Sequence, residues 1–357
     1  LHETLVTFLD DGAESLVGYL RDAYPGRRAA LCTEKALLKP LRFMVEAIRE
    51  TVPGLEVVAY PGGESRKDRR TKAFLEDRLL ALGMGRDSVL LALGGGTVSD
   101  LVGFTAGTFL RGVPYLNLPT TLLAMVDAAY GGKTAVNTRQ GKNVVGMFHA
   151  PGAVFIPLKA LETLPDRQYL CGLAECLKHG LVADAAHYAW VVGVSRDLLK
   201  REKGAVRALV AESLALKLSV VAEDPLEETG RRNVLNAGHT VGHGLELMNL
   251  WREPHGFAVA RGLMWEAAAA VHDRFLPEAE AEKVLDGLRT FDFPRLMKPA
   301  KPAALLAATV SDKKNREGHV KYVPLGAVGR PALPPPHTAN LTLEALEWAS
   351  KWIGKRK

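Results

Sequence analysis

The chain has 357 residues, 47% hydrophobic and 24% charged, with 34 glycines, 20 prolines and a net charge of +6. At about 150 residues per domain this length predicts two domains with full cores, and the composition excludes collagen, coiled-coil and disordered architectures. The uncharged stretches 101–110 and 116–126 fall short of a membrane span, and three cysteines with no Cys-x-x-Cys pair support neither a disulfide framework nor a zinc ribbon. No basic, apolar signal opens the chain, so a cytoplasmic protein with reduced thiols and no membrane partner is expected. The basic residues are scattered, with short clusters only at 67–70 and 355–357 and no aromatic-interleaved stripe. This argues against nucleic acid and leaves open the attraction of a small anionic substrate.

In chain order, residues 29–32, 56–60, 88–93 and 115–118 read as buried strands and 73–82 as an amphipathic helix. The first 30 residues show no clear opening strand. From about Leu161 the texture turns helical, over 166–182, 205–222, 239–247, 258–272 and 278–288. The Pro151-Gly152 pair and the short run after it mark the expected boundary, and Pro334 to Pro336 form a late loop before a final helix at 341–352. The expected architecture is an α/β nucleotide-binding domain over 1–155, followed by a mostly α-helical metal- and substrate-binding domain over 156–357.

Three groups of residues point to chemistry. The apolar strand at 88–93 runs into Gly94-Gly95-Gly96 and then a helix carrying Thr97 and Asp100. Glycines admit a pyrophosphate close to the backbone and the helix start offers amide donors, although a tight strand-to-helix turn needs the same residues. Upstream, Pro61-Gly62-Gly63-Glu64 with Lys67 is a second glycine turn, whose carboxylate suits ribose hydroxyls and whose lysine suits phosphate; a plain surface turn is the other reading. The second group, Thr120, Thr121, Asp127, Gly132-Lys133 and Gly141-Lys142-Asn143, suits a polar anionic ligand. It is not a P-loop, because Asp127 occupies the position where that motif requires glycine. The third is Asn236, His239, His243 and Pro254-His255-Gly256, with Glu175 and Lys178 on an earlier helix. His239 and His243 share a helical face, a spacing used for metals and also for packing. Three glycine-flanked histidines with a carboxylate favour a catalytic divalent ion.

Together these segments resemble the sugar phosphate cyclase family, and most closely its 3-dehydroquinate synthase members. The likeness is carried by PGGE at 61–64, GGGTVSD at 94–100, FLRG at 109–112, VDAAYGGKTAVN at 126–137 and GKNVVG at 141–146. It continues through GLAECLK at 172–178, LNAGHTVGH at 235–243, PHG at 254–256 and SDKK at 311–314. The resemblance implies NAD on the N-terminal domain, contacted by Glu64, Lys67, Gly94, Gly95, Gly96, Thr97, Asp100, Thr120, Thr121, Asp127, Lys133, Lys142 and Thr163. A carboxylate in 31–35, Glu34, lies near where the family places one for the adenosine ribose. It implies Zn2+ or Co2+ on Glu175, His239 and His255, which makes His243 a substrate-side group instead of a ligand. The implied substrate contacts are Asp127, Lys133, Lys142, Asn143, Lys178, Lys217, Arg232, Asn236, His243 and the Lys313-Lys314 pair, in a cleft between the domains. The stretch from Lys217 to Arg232 is one residue longer than in many members. Arg111 matches an arginine that the family uses near the phosphate across a dimer interface, so a homodimer is expected.

The implied reaction is the shikimate-pathway conversion of 3-deoxy-D-arabino-heptulosonate 7-phosphate, a small anionic sugar phosphate, to 3-dehydroquinate and phosphate. It runs by NAD-mediated transient oxidation, phosphate β-elimination, reduction and intramolecular aldol closure. The alternatives are a 2-deoxy-scyllo-inosose or valiolone-type cyclase, a metal-dependent alcohol or glycerol dehydrogenase, and a catalytically dead binding protein.

Overall fold

The computed structural model describes residues 4–10, 12–250, 252–293, 296–310 and 320–356. It divides into two compact units, Leu1–Pro165 and Asp166–Lys357.

The first unit holds, in order, β1 (Leu5–Phe8), α1 (Glu14–Ala23), β2 (Arg28–Glu34), α2 (Arg42–Thr51), β3 (Glu56–Tyr60), α3 (Arg69–Ala81), β4 (Ser88–Gly94), α4 (Gly96–Thr108), β5 (Tyr115–Pro119), β6 (Lys133–Thr138), β7 (Gly141–Phe148) and β8 (Ala153–Ile156). Six strands form one parallel sheet in the order β1-β8-β5-β4-β2-β3. Every residue of β4 is buried, as an apolar run does when helices cover both faces of a parallel sheet. Leu90, Ala92, Leu101, Val102 and Tyr115 belong to the core cluster on that strand.

One expectation needs correction. The chain does open with a strand: β1 pairs in parallel with β8 at the edge of the sheet. It is four residues long and none of them is fully buried, so it leaves no apolar run to read in the sequence. The first compact unit runs to Pro165. β8 completes the sheet, and the 3-10 turn Leu158–Thr163 buries Leu158, Ala160 and Leu161 after it. Outside the sheet, β6 and β7 form an antiparallel hairpin from the glycine- and lysine-rich segment read as a ligand loop.

The second unit is built on α5 (Asp166–Ala183), α6 (Ala185–Gly193), α7 (Ser195–Leu199), α8 (Lys203–Glu223), α9 (His239–Met248), α10 (His255–His272), α11 (Glu278–Thr290) and α12 (Pro302–Val310). The short strands β9 (Lys321–Tyr322), β10 (Leu325–Ala327), β11 (Arg330–Pro331) and β12 (Ala339–Asn340) precede α13 (Leu343–Gly354). α10 is buried continuously from Gly256 to Ala270, the mark of a helix enclosed on all sides. α5, α9, α11 and α13 pack against it. Among the described residues no helix is long and apolar enough to cross a membrane.

Candidate functional site

In the first unit the three glycines sit where β4 becomes α4, with Gly95 as the N-cap and no side chain capping the first turn. A Cβ on Gly95 would lie 3.0 Å from the Thr121 side chain, and one on Gly96 would lie 3.1 Å from Ala128. A side chain at either position would force its neighbour to give by a few tenths of an ångström, and the amides of the first turn carry no side-chain cap, the arrangement that suits an anion. Glu34, at the end of β2, accepts hydrogen bonds from Thr97 Oγ1 and the Gly63 amide, both at 3.0 Å. That carboxylate ties both glycine turns to the C-terminal end of β2. The buried Lys67 ammonium donates to Asp100 Oδ2 at 2.7 Å and Asn143 Oδ1 at 2.6 Å, and lies 3.9 Å from Glu64. Asn137 completes the group, donating to Glu64 at 2.7 Å and accepting the Asn143 amide at 3.0 Å. Asn143 takes a left-handed φ of 53°, which aims its side chain back at Lys67. Burial pushes the Asp100 carboxyl above its ordinary value, against the opposing pull of Lys67.

The structure thus joins Glu64, Lys67, Asp100 and Asn143, four residues that the sequence places in three separate motifs. Thr120 is buried, with its amide on the Gly94 carbonyl at 2.9 Å. Thr121 Oγ1 accepts the Ala124 amide and opens a π-helical turn, Ala124–Ala128, that carries Asp127. Such turns concentrate at functional sites, and no local pattern marks this one. Lys133 is exposed and Lys142 partly exposed on the hairpin. Thr163 donates to Ala160 within its own turn, and Arg111 is exposed after α4 at φ 70°. Among the described residues neither is hydrogen-bonded to the Lys67 group.

In the second unit three helices bring together three side chains that could hold a metal ion. Glu175 lies in the middle of α5 and is fully buried; His239 and His255 are the first residues of α9 and α10. Each imidazole Nε2 lies 3.6 Å from Glu175 Oε1, and the ligand atoms all fall within 4.8 Å of one another. Close backbone packing makes this possible. A Cβ on Gly256 would stand 2.7 Å from the Cys171 carbonyl carbon, and one on Gly262 would stand 2.8 Å from the Gly238 carbonyl carbon. Gly238, at φ 75°, turns the chain into α9. The buried Glu266 carboxylate then caps that helix, accepting from the amides of Gly238 at 2.7 Å and Val241 at 3.0 Å.

Outer contacts orient the rings. His239 Nδ1 faces the Ala237 carbonyl at 3.2 Å, and His255 Nδ1 lies 3.6 Å from Glu246. With Nδ1 the protonated nitrogen in each ring, Nε2 presents its lone pair toward Glu175. Neither oxygen of the Glu175 carboxylate accepts a conventional hydrogen bond from the described residues; it faces the two imidazoles and ion-pairs with the buried Lys178. A buried carboxylate opposed by two imidazoles fits a borderline divalent ion such as Zn2+ or Co2+. The helical-face pairing of His239 with His243 does not form this set. His243 groups instead with Glu246 and His255, its ring 5.4 Å from that of His239.

Lys178 and Lys217 are buried on α5 and α8, and Asn236 ends the 3-10 turn Arg231–Asn236 ahead of α9. Arg232 is buried in that turn and engaged by its own loop: Nη1 donates to the Pro225 carbonyl at 3.1 Å and Nε lies 3.5 Å from Glu227. Lys313 and Lys314 lie outside the described residues. The sequence reading missed Asn137, Glu246 and Glu266. Glu246 carried a usable signal, three positions after His243 on one helical face, whereas nothing local marks Glu266 as the cap of another helix.

Residues 57–171 match the family model described as 3-dehydroquinate synthase N-terminal, and 172–315 match its C-terminal counterpart. The chain is 38% identical over 315 residues to the 3-dehydroquinate synthase of Geotalea uraniireducens, covering 87% of this chain and 86% of the relative. Among solved structures, 2-epi-5-epi-valiolone synthase from Streptomyces hygroscopicus subsp. jinggangensis, with NAD+ and Zn2+ bound, superposes with a TM-score of 0.88 at 27% identity, over 100% of this chain and 98% of that one. A 2-deoxy-scyllo-inosose synthase complexed with carbaglucose-6-phosphate, NAD+ and Co2+ gives 0.86 at 25%, over 97% and 96%. With both family models matched in order and a curated relative aligned over most of its length, the chain belongs to the 3-dehydroquinate synthase family.

Proposed function

We propose that the chain is a cytoplasmic, NAD- and divalent-metal-dependent enzyme that converts 3-deoxy-D-arabino-heptulosonate 7-phosphate to 3-dehydroquinate and phosphate. The observation that carries this reading is the convergence of Glu175, His239 and His255 from three helices beside the buried Lys178. When bound, NAD supplies a reversible hydride acceptor and the divalent ion supplies Lewis-acid polarisation of the substrate oxygens. The solved cyclases with NAD+ and Zn2+ or Co2+ support both assignments.

The chain's own residues do the rest. The glycine turn at 94–96 takes the pyrophosphate on backbone amides, with Thr97, Thr120 and Thr121 lining it, while Glu34 and Glu64 accept from ribose hydroxyls. Lys67 holds Asp100 and Asn143 in place. Lys178 balances the Glu175 carboxylate, and His243, next to the ligand rings without joining their set, accepts and returns a proton at its imidazole. Asp127, Lys133, Lys142, Lys217, Asn236 and the Lys313-Lys314 pair are assigned to the phosphate and hydroxyls, and Arg232 to the carboxylate, by charge-assisted hydrogen bonds. Thr163 keeps a nucleotide-side assignment. Arg111 is assigned to the phosphate site of a second copy, making the working unit a homodimer.

The reading is preferred to the 2-deoxy-scyllo-inosose and valiolone alternatives because curated dehydroquinate synthases share 36–42% identity with the chain, against 25% and 27% for those solved cyclases. Treatment with a chelator should abolish phosphate release from the heptulosonate phosphate, and Zn2+ or Co2+ should restore it. Full turnover by protein shown to contain no metal would refute the metal role.

A further inference from the structure

We propose that the buried Glu253–Arg261 pair is a positioning device for His255, fixing where α10 begins relative to the end of α9; the inference rests on the metal reading of Glu175, His239 and His255. Glu253 stands two residues before His255, and both members of the pair are almost inaccessible, at 3% and 1% exposure. Arg261 Nη1 donates to both Glu253 oxygens, at 3.0 and 2.8 Å, and Nη2 donates to the Lys298 carbonyl at 3.0 Å. Asn249, just past α9, donates to Glu253 at 2.8 Å and to the Leu245 carbonyl at 2.8 Å. One chain of bonds therefore runs from the last turn of α9, through the loop that introduces His255, into the second turn of α10.

Stability alone does not account for this arrangement. Desolvating two charges costs about what their attraction returns, and apolar replacement of such a pair is often neutral or stabilising. The cost is aggravated here because Arg261 Nε is buried with no partner among the described residues. What the pair provides is direction. A carboxylate held at a fixed point two residues before a metal ligand sets the path of the backbone into Pro254 and His255, and a ligand atom must be placed to a few tenths of an ångström. Neither Arg261 nor Glu253 belongs to the residues that could hold the metal, so they act through His255.

The test uses the full chain, metal-stripped, as wild type, as the double variant Glu253→Leu/Arg261→Met and as the single variant Arg261→Lys. Zn2+ affinity is read by competition with a chelator, ligand geometry by the visible spectrum of the Co2+-loaded protein, and stability by melting of the metal-free form. The double variant should melt at or above wild type, bind Zn2+ 10- to 100-fold more weakly, and shift the Co2+ bands. Arg261→Lys keeps the charge without the planar fork, so it should also weaken Zn2+ binding, and it decides the matter if the double variant does not fold. Wild-type affinity and an unchanged Co2+ spectrum in the variants would overturn the proposal. Failure of the wild type itself to bind Zn2+ would overturn the metal reading beneath it.

Discussion

Gly256→Ala is the sharpest perturbation available to the metal site, because it adds one methyl group and removes no polar atom. An alanine Cβ there would lie 2.7 Å from the Cys171 carbonyl carbon and nearer still to the Cys171 Cα and O, all backbone atoms that no rotamer change can move aside. Carbon atoms pack at about 3.5 to 4.0 Å, so α10 and α5 must separate by at least about 0.8 Å. His255 immediately precedes this residue, and Glu175 lies one turn beyond Cys171. The same displacement therefore falls on a His255–Glu175 distance that is now 3.6 Å. Metal–ligand bonds tolerate about 0.2 Å, so Zn2+ affinity should collapse. Overpacking costs about 1 to 3 kcal/mol, and each kcal/mol lowers Tm by about 2 to 4 °C in a unit of this size. Gly204→Ala is the control, since its Cβ would meet nothing within 4 Å near the start of α8, and it should leave both quantities unharmed. The assay is chelator competition with a thermal melt on both variants. A Gly256→Ala protein matching the control in Zn2+ affinity and Tm would refute the packing argument.

His239→Ala should lose bound metal together with turnover, while His243→Ala should keep the metal and lose turnover, as judged by metal content after gel filtration. Loss of the ion from His243→Ala would show that the ligand set is wrongly drawn. Glu266→Ala leaves two buried amides at the start of α9 without their acceptor, so chemical denaturation should show a loss of about 1 to 3 kcal/mol, with weakened metal binding through His239. Asp100 tests linkage. Burial raises its folded pKa above the unfolded value, so the folded state binds the extra proton and stability falls as pH climbs from about 4 through that higher value. Urea midpoints of Asp100→Asn should therefore gain on wild type as pH rises toward 7, and a constant difference would contradict the shift.

How much of this was legible in the sequence depended on whether the relevant contact was local. Strands β3 and β4 were readable because unbroken apolar runs end in glycine turns, and α5 and α8 to α11 because their apolar positions recur over two or more turns. β1 was not readable, since four half-covered edge residues carry no such run. The π-helical turn at Asp127 and the hairpin at 133–148 arise from tertiary packing of small residues. At the site, the glycine cradle and the histidines could be named from spacing and family likeness. Spacing alone paired His239 with His243, because helical periodicity sees one helix, whereas the cluster of Glu175, His239 and His255 that could hold a metal spans three. The caps and braces, Glu266 on α9 and Arg261 on Glu253, depend on side chains that meet only once α10 is packed, and no local pattern announces them.

Side-by-side phosphate release assays decide which substrate the enzyme turns over. Purified protein with NAD and Zn2+ is given 3-deoxy-D-arabino-heptulosonate 7-phosphate, sedoheptulose 7-phosphate or glucose 6-phosphate, with product identification for each. The heptulosonate carries a carboxylate that the other two lack, and a charge-assisted contact left unpaired costs about 1.5 to 3 kcal/mol, at least about tenfold in rate. Turnover of the heptulosonate phosphate to 3-dehydroquinate, at least about tenfold above either other sugar, is the predicted result. Equal or faster phosphate release from a carboxylate-free sugar would contradict it.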